Sequence, residues 1–219
     1  MGLATFIGGI HPYEGKELSE DKPIQFIVPE KGEEMVYPLS QHIGAPAKPL
    51  VAKGDQVLKG QIIAEAGGFI SANVLSSVSG TVKGIEPRLV ANGAMVQSII
   101  VENDGEENAI EGFGNARDYT KLSKEEIRNI IKEAGIVGLG GAGFPTHVKL
   151  TPKDEAAIDH VIVNGAECEP YLTSDSRVMM ERPEQIIGGL QVILQLLDNA
   201  KGIIGIEHNK PEAIKKLTD

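Results

Sequence analysis

Four glycines fall within six positions at Gly138-Leu-Gly140-Gly141-Ala-Gly143, and the run continues Phe-Pro-Thr-His-Val-Lys149. Residues without a Cβ let backbone N–H groups close on an anion at a distance other residue types forbid. Lys149, six residues past the last glycine, can add a compact positive charge beside the same anion. About fifteen residues on comes Val163-Asn164-Gly-Ala166-Glu167-Cys168-Glu169-Pro170. Its Asn164, Glu167 and Glu169 offer donors and acceptors, and together the two segments read as a phosphate-bearing cofactor site. Nucleophilic and metal chemistry lack a matching pattern. His11, His42, His147, His160 and His208 are scattered without metal-ligand spacing. Cys168, flanked by two carboxylates, is expected to be inert. No catalytic or metal-binding side chain is assigned.

The elements that must position the loop restrict its reading. Gly138-x-Gly140-x-x-Gly143 has the spacing of the dinucleotide fingerprint, but that fingerprint follows a strand and opens a helix. Here Leu122, Ile127, Ile130, Ile131 and Ala134 recur at helical spacing ahead of the loop. Ser123 with Glu126 makes a capping box for the start of that helix, and Gly135 suits its stop. Pro145 falls where a Rossmann helix would be under way, and the Gly-Lys-Ser/Thr of a P-loop is absent. Local physics leaves two alternatives, an anion-binding loop and a glycine-rich connector that only makes a tight turn. His147 is expected to face solvent.

Composition narrows the function classes. With 219 residues and 41% hydrophobic content the chain has room for one large or two small domains. A net charge of −10 argues against nucleic acid and against an anionic membrane surface as partners. One cysteine excludes an internal disulfide, and Met1-Gly-Leu-Ala-Thr carries no signal-peptide pattern, so the expected compartment is the cytoplasm. No apolar run approaches the ~20 residues needed to span a bilayer. The longest candidate, 186–197, is interrupted by Gly188, Gly189, Gln191 and Gln195. Direct membrane insertion is therefore not expected.

The first part of the chain reads as β-rich. Pro23–Pro29 is a short strand bounded by prolines, and 51–65 and 77–85 repeat a strand-and-glycine style. The latter pair resembles the two halves of a biotinyl/lipoyl-type barrel-sandwich hybrid. A swinging-arm role is refused, because no lysine lies between Lys59 and Lys83 to carry the acyl group. Residues 103–117 read as a polar linker. Beyond it the order is a helix over 123–134, the glycine loop, a strand over 160–163, the acidic loop, a helix over 182–197 and a strand over 202–206. Such alternation implies a mainly parallel sheet, with ligands on loops at the carboxyl ends of strands. The fold class is α+β in two domains, residues 1–115 a β-rich barrel-sandwich-hybrid module and 116–219 an α/β domain. Asp175 and Arg177 are expected to form a local ion pair.

The run Gly-x-Gly-Gly-Ala-Gly-Phe-Pro-Thr-x-x-Lys, followed by Asn-x-x-Glu-x-Glu-Pro, resembles the FMN-binding signature of the flavoprotein subunit of respiratory complex I. Gly8-Gly-Ile-His-Pro12 and the layout up to Asp219 resemble more specifically the RnfC family, the NADH-facing subunits of membrane-bound ferredoxin:NAD+ oxidoreductase (Rnf) complexes. The resemblance implies an electron-transfer subunit that exchanges hydride between NAD(H) and FMN and passes electrons on to iron–sulfur clusters. It makes 116–219 the first part of a Rossmann-like FMN/NADH-binding domain. Two [4Fe–4S] clusters would lie in a C-terminal part beyond this chain, since Cys168 alone cannot hold one. Gly138, Gly140, Gly141 and Gly143 would line the FMN, with Lys149 near its phosphate or ribityl chain. Asn164 and Glu167 would sit by the isoalloxazine and the nicotinamide, Glu169 would support that loop, and Arg177 is a further flavin-contact candidate. Ala166 departs from the aspartate usual in the complex I relatives, which removes one acceptor. The implied partners are the other Rnf subunits and, indirectly, ferredoxin, with the chain peripheral on the inner face of the cell membrane. The alternatives are a non-catalytic docking module and an RnfC-like subunit serving a cobalamin or amino-acid reductase.

Overall fold

A computed structural model describes residues 12–219. Gly8 to His11 of the Gly-Gly-Ile-His-Pro segment lie outside the described residues. The chain forms two compact units, each interrupted in sequence. The larger comprises Ile27–Ala157 with Gln195–Asp198. The smaller comprises the described residues up to Phe26, Ile158–Leu194 and Asn199–Asp219. The glycine-loop segment thus goes with the β-rich part, whereas composition suggested a division near residue 115.

The larger unit is a sandwich of two antiparallel sheets. One has the order β1 (Glu34–Pro38), β7 (Met95–Asn103), β6 (Gly80–Leu89), β3 (Gln56–Val57). The other runs β2 (Lys48–Pro49), β4 (Ile62–Glu65), β5 (Val74–Leu75). Apolar residues of both sheets form one buried core: Tyr37, Val57, Val82, Ile99 and Val101 from the first, Ile63, Ala64 and Val74 from the second. Each buried Val or Ile among them contributes about 1.5–3 kcal/mol by leaving water. The barrel-sandwich-hybrid expectation holds. The expected strand over Pro23–Pro29 does not: that segment pairs with no sheet among the described residues, and Ile27 is 95% exposed. Two prolines withhold N–H donors from it, and apolar composition cannot make a strand without a partner edge. The 103–117 segment is anchored rather than a free linker, since Lys59 donates its N–H to Asn108 O and Ile110 donates to Lys59 O.

Helix α1 (Lys124–Glu133) begins at the expected capping box, with Ser123 and Glu126 bonding reciprocally. It buries Ile127 and Ile131 and ends before Gly135, whose φ is +62°. A Cβ on Gly135 would meet Asn73 O at 2.4 Å, so only glycine lets the helix end sit against that loop.

In the smaller unit β8 (His160–Asn164) pairs in parallel with β9 (Lys201–Gly205), from His160 opposite Lys201 to Asn164 opposite Gly205. The helix expected over 182–197 is α4 (Pro183–Leu194), and a further helix that was not expected, α3 (Ser174–Glu181), precedes it. Arg182 lies between them at φ −138°, because the residue before a proline is pushed out of the helical region. The last helix, α5, spans Pro211–Thr218. Met179 of α3, Leu190 of α4 and Ala213 of α5 are buried. Gly202 lets β9 approach α4, since a Cβ there would lie 2.8 Å from Leu190 Cδ2.

Candidate cofactor site

The glycine loop is closed at its base and open at its tip. Gly138 N–H donates to Phe144 O and Thr146 N–H to Ile136 O, each at 2.9 Å, which ties the ends together ahead of the short helix α2 (Thr146–Lys149). A third bond comes from the sandwich, where Ile43 N–H donates to Ala142 O at 2.9 Å. None of these anchoring bonds uses an N–H from Leu139 to Gly143.

The four glycines have different reasons to be glycine. Gly143 has φ +60°, and a Cβ there would lie 3.0 Å from Gln41 O, so it is fixed by the fold. Gly141 has φ +66° but open space around it. Gly140 also faces open space, without that conformational demand. At Gly138 a Cβ would lie 3.7 Å from Lys149 Nζ, which brings the expected lysine to the loop. An uncrowded turn with a primary ammonium beside it fits a phosphoryl group. Leu139 at the tip is 99% exposed. His147 is half-buried rather than solvent-facing; burial first, then the charge of Lys132, lowers its pKa below the usual 6.5.

The acidic loop follows β8 in the smaller unit, at the carboxyl end of a parallel strand. Asn164 caps the turn, its Oδ1 accepting from Ala166 N–H at 3.0 Å. Gly165 N–H donates to Gly205 O at 2.7 Å, and a Cβ at that position would crowd the same oxygen. Glu169 and Cys168 are exposed, with the thiol 3.6 Å from Glu169 Oε2.

Glu167 differs from its neighbours in being only 2% exposed. Its Oε1 accepts from Asp175 N–H at 2.9 Å, and its Oε2 lies 3.1 Å from Lys210 Nζ and 3.9 Å from Lys16 Nζ. The carboxylate expected beside the ring system is thus directed into the unit. Lys16 and Lys210 had no place in the sequence reading. Glu-Lys pairs separated by 151 and 43 positions leave no local signal. Arg177 pairs with Glu181 (Nε to Oε1, 2.9 Å) rather than with Asp175, and also donates to Glu20 O. Spacing by four on α3 favours that choice over spacing by two. Arg177 is therefore engaged within its own unit.

Among the described residues no helix is long and apolar enough to cross a membrane, and no group of His, Cys, Asp or Glu is placed to hold a metal ion.

The larger unit carries a barrel-sandwich module and an open glycine loop suited to an anion such as a cofactor phosphate, and the smaller carries an acidic loop at a strand's carboxyl end. Comparison with known proteins agrees: residues 4–106 match the RnfC barrel sandwich hybrid domain, and residues 131–219 match the Nuo51 FMN-binding domain. The chain is 45% identical to the C subunit of the proton-translocating ferredoxin:NAD(+) oxidoreductase complex of Clostridium ljungdahlii, over 98% of this chain and 47% of that protein. It is 44% identical to the C subunit of the Na(+)-translocating ferredoxin:NAD(+) oxidoreductase complex of Acetobacterium woodii, over 97% of this chain and 48% of the relative. With the C subunit of the ion-translocating oxidoreductase complex of Pseudomonas aeruginosa it shares 42% identity, over 98% and 28%. The chain is a relative of RnfC, and it spans less than half the length of each of these relatives.

Proposed function

We propose that this chain belongs to an electron-transfer subunit of a membrane-bound, ion-translocating ferredoxin:NAD+ oxidoreductase complex. The observation that carries the reading is the open glycine loop with Lys149 Nζ beside Gly138, inside the segment that matches an FMN-binding domain. Residues 1–115 act as the barrel-sandwich module and 116–219 as the first part of the FMN/NADH-binding domain; the two family matches, ending at 106 and starting at 131, support a boundary in that interval.

In this reading Gly138, Gly140, Gly141 and Gly143 line the FMN, the last three offer backbone N–H groups to its phosphate, and Lys149 neutralises it. Asn164 and Glu169 present polar groups to flavin and nicotinamide, while Glu167 holds their loop from within. Bound FMN supplies the exchange between the two-electron chemistry of NAD(H) and the one-electron chemistry of iron–sulfur clusters. Those clusters lie outside this chain. The residues present bind, orient and charge-balance, and no side-chain base or nucleophile is assigned. The remaining Rnf subunits hold the protein at the inner face of the membrane, and ferredoxin is reached through them.

A non-catalytic bracing role for the sandwich accompanies this reading, favoured by the bond from Ile43 to Ala142. Service to a cobalamin or amino-acid reductase is distinguished by the electron acceptor that the full-length protein reduces. The test is titration of FMN into the protein, read by quenching of flavin fluorescence. Saturable quenching at one FMN per chain supports the assignment, and no quenching in the full-length protein overturns it.

A further inference from the structure

Lys16 stands far from either loop in sequence, yet it is buried, with 8% exposure. Its Nζ donates to three backbone carbonyls of the acidic loop, Glu167 O at 2.7 Å, Leu172 O at 2.9 Å and Glu169 O at 3.1 Å. It also faces the Glu167 carboxylate at 3.9 Å. An ammonium has three protons to donate, and three carbonyls with a carboxylate behind them satisfy it fully. A buried charge with that many partners fixes a geometry, because release of any one leaves a desolvated group unpaired.

Neighbouring residues reinforce the grip. Tyr171 N–H donates to Glu14 O at 2.6 Å, and Tyr171 has φ +66°, a conformation costly for a tyrosine. Gly15, at φ +61°, makes room for the Tyr171 ring, since a Cβ there would lie 2.3 Å from Cε1. Ser19 Oγ meets Thr173 Oγ1 at 2.9 Å. Residues 14–19 therefore run along the loop as a strap. In each planar trans peptide the N–H points opposite to the C=O. Carbonyls 167 and 172 turned inward to Lys16 accordingly turn the N–H groups of Cys168 and Thr173 away from it.

We propose that Lys16 is a positioning residue for the flavin and nicotinamide site. It sets the acidic loop in the conformation that presents Asn164, the Cys168 N–H and Glu169 outward, with Glu167 as its internal counter-charge. The segment ahead of the β module thereby serves the α/β part. This inference rests on the flavin reading above for its functional consequence.

The test compares Lys16→Met and Lys16→Arg in the full-length protein. Lys16→Met is expected to weaken FMN binding by about tenfold or more and to raise KM for NADH more than it lowers kcat with a soluble acceptor. Lys16→Arg, which keeps the charge and donors, is expected to recover most of that loss. Amide hydrogen exchange over 168–173 is expected to accelerate in Lys16→Met while β-sandwich amides keep their protection. Unchanged exchange at 168–173 together with unchanged FMN affinity overturns the proposal. If Lys16→Met fails to fold, the double variant Lys16→Met/Glu167→Gln relieves the buried charge, and wild-type FMN affinity in it overturns the proposal equally. If the wild-type protein itself binds no FMN, the flavin reading fails, and the exchange comparison alone decides whether Lys16 sets the loop.

Discussion

Ile43 donates its backbone N–H to the carbonyl of Ala142 at 2.9 Å, so the β-sandwich holds the glycine loop directly. The same stretch is tied to the hairpin at 66–75. His42 Nε2 accepts from Ala72 N–H at 3.1 Å, which places the ring proton on Nδ1, 3.0 Å from Ile43 O. A module that elsewhere carries a lipoyl or biotinyl lysine here lends its hairpin to brace a loop. His42→Ala leaves the buried Ala72 N–H without its acceptor and is expected to cost about 1–3 kcal/mol of stability. Chemical denaturation measures this, and an unchanged midpoint would refute the bracing role.

The four loop glycines should separate by mutation. Gly143→Ala places a Cβ 3.0 Å from Gln41 O at φ +60°, and is expected to destabilise the fold by roughly 1–3 kcal/mol. Gly140→Ala meets nothing within 4 Å and should fold as the wild type does. Its effect, if the loop cradles phosphate, appears only as weaker FMN binding. Equal stability of the two variants by thermal unfolding would contradict the geometry.

Gly141→Glu tests the cofactor without testing the fold. The position is open, so the added side chain is accommodated at a conformational cost of about 1–2 kcal/mol for φ +66°. A carboxylate there repels a phosphate, and FMN binding should be lost in a protein that keeps its circular dichroism. Stoichiometric FMN retained by this variant would sink the assignment of the loop.

Glu167→Ala removes the counter-charge from Lys16 and Lys210, both nearly buried. Breaking such a cluster from one side costs about 3–5 kcal/mol, more than replacing both sides with apolar groups. Glu167→Gln, which keeps the shape and one acceptor, should cost less. Urea titration of the two variants checks the order, and a milder Ala variant would show that Glu167 is not the internal anchor.

His147 predicts a pH dependence. Burial and Lys132 hold its folded-state pKa below 6.5, its usual value when unfolded. A depressed folded pKa means the contribution to stability is fully present above about 6.5 and lost as pH falls through the folded value. Thermal unfolding from pH 8 to pH 5 should show this loss, and His147→Gln should reduce it. A histidine proton resonance of residue 147 titrating at or above 6.5 would contradict it.

Much of the architecture is legible locally. The box at Ser123 and Glu126, the stop at Gly135 and the run of β-branched residues at 161–163 each fix an element from its own neighbours. The start of α4 beside Arg182 was legible too, since Pro183 suits a first helical position, whereas α3 over Ser174–Glu181 went unread. The strand misread at Pro23–Pro29 shows the opposite case, in which composition suits a strand and no edge receives it.

The sequence by itself determined the two types of element, the absence of a carrier lysine in the hairpin and the pairing of a glycine loop with an acidic loop. All of these depend on residue type at fixed short spacing. Only the tertiary structure decided which glycines are free to meet a ligand, that Ile43 holds Ala142, and that Glu167 turns inward to Lys16 and Lys210. A buried charge must find partners wherever the chain brings them, and the desolvation that enforces the choice exists only once the fold has closed around it.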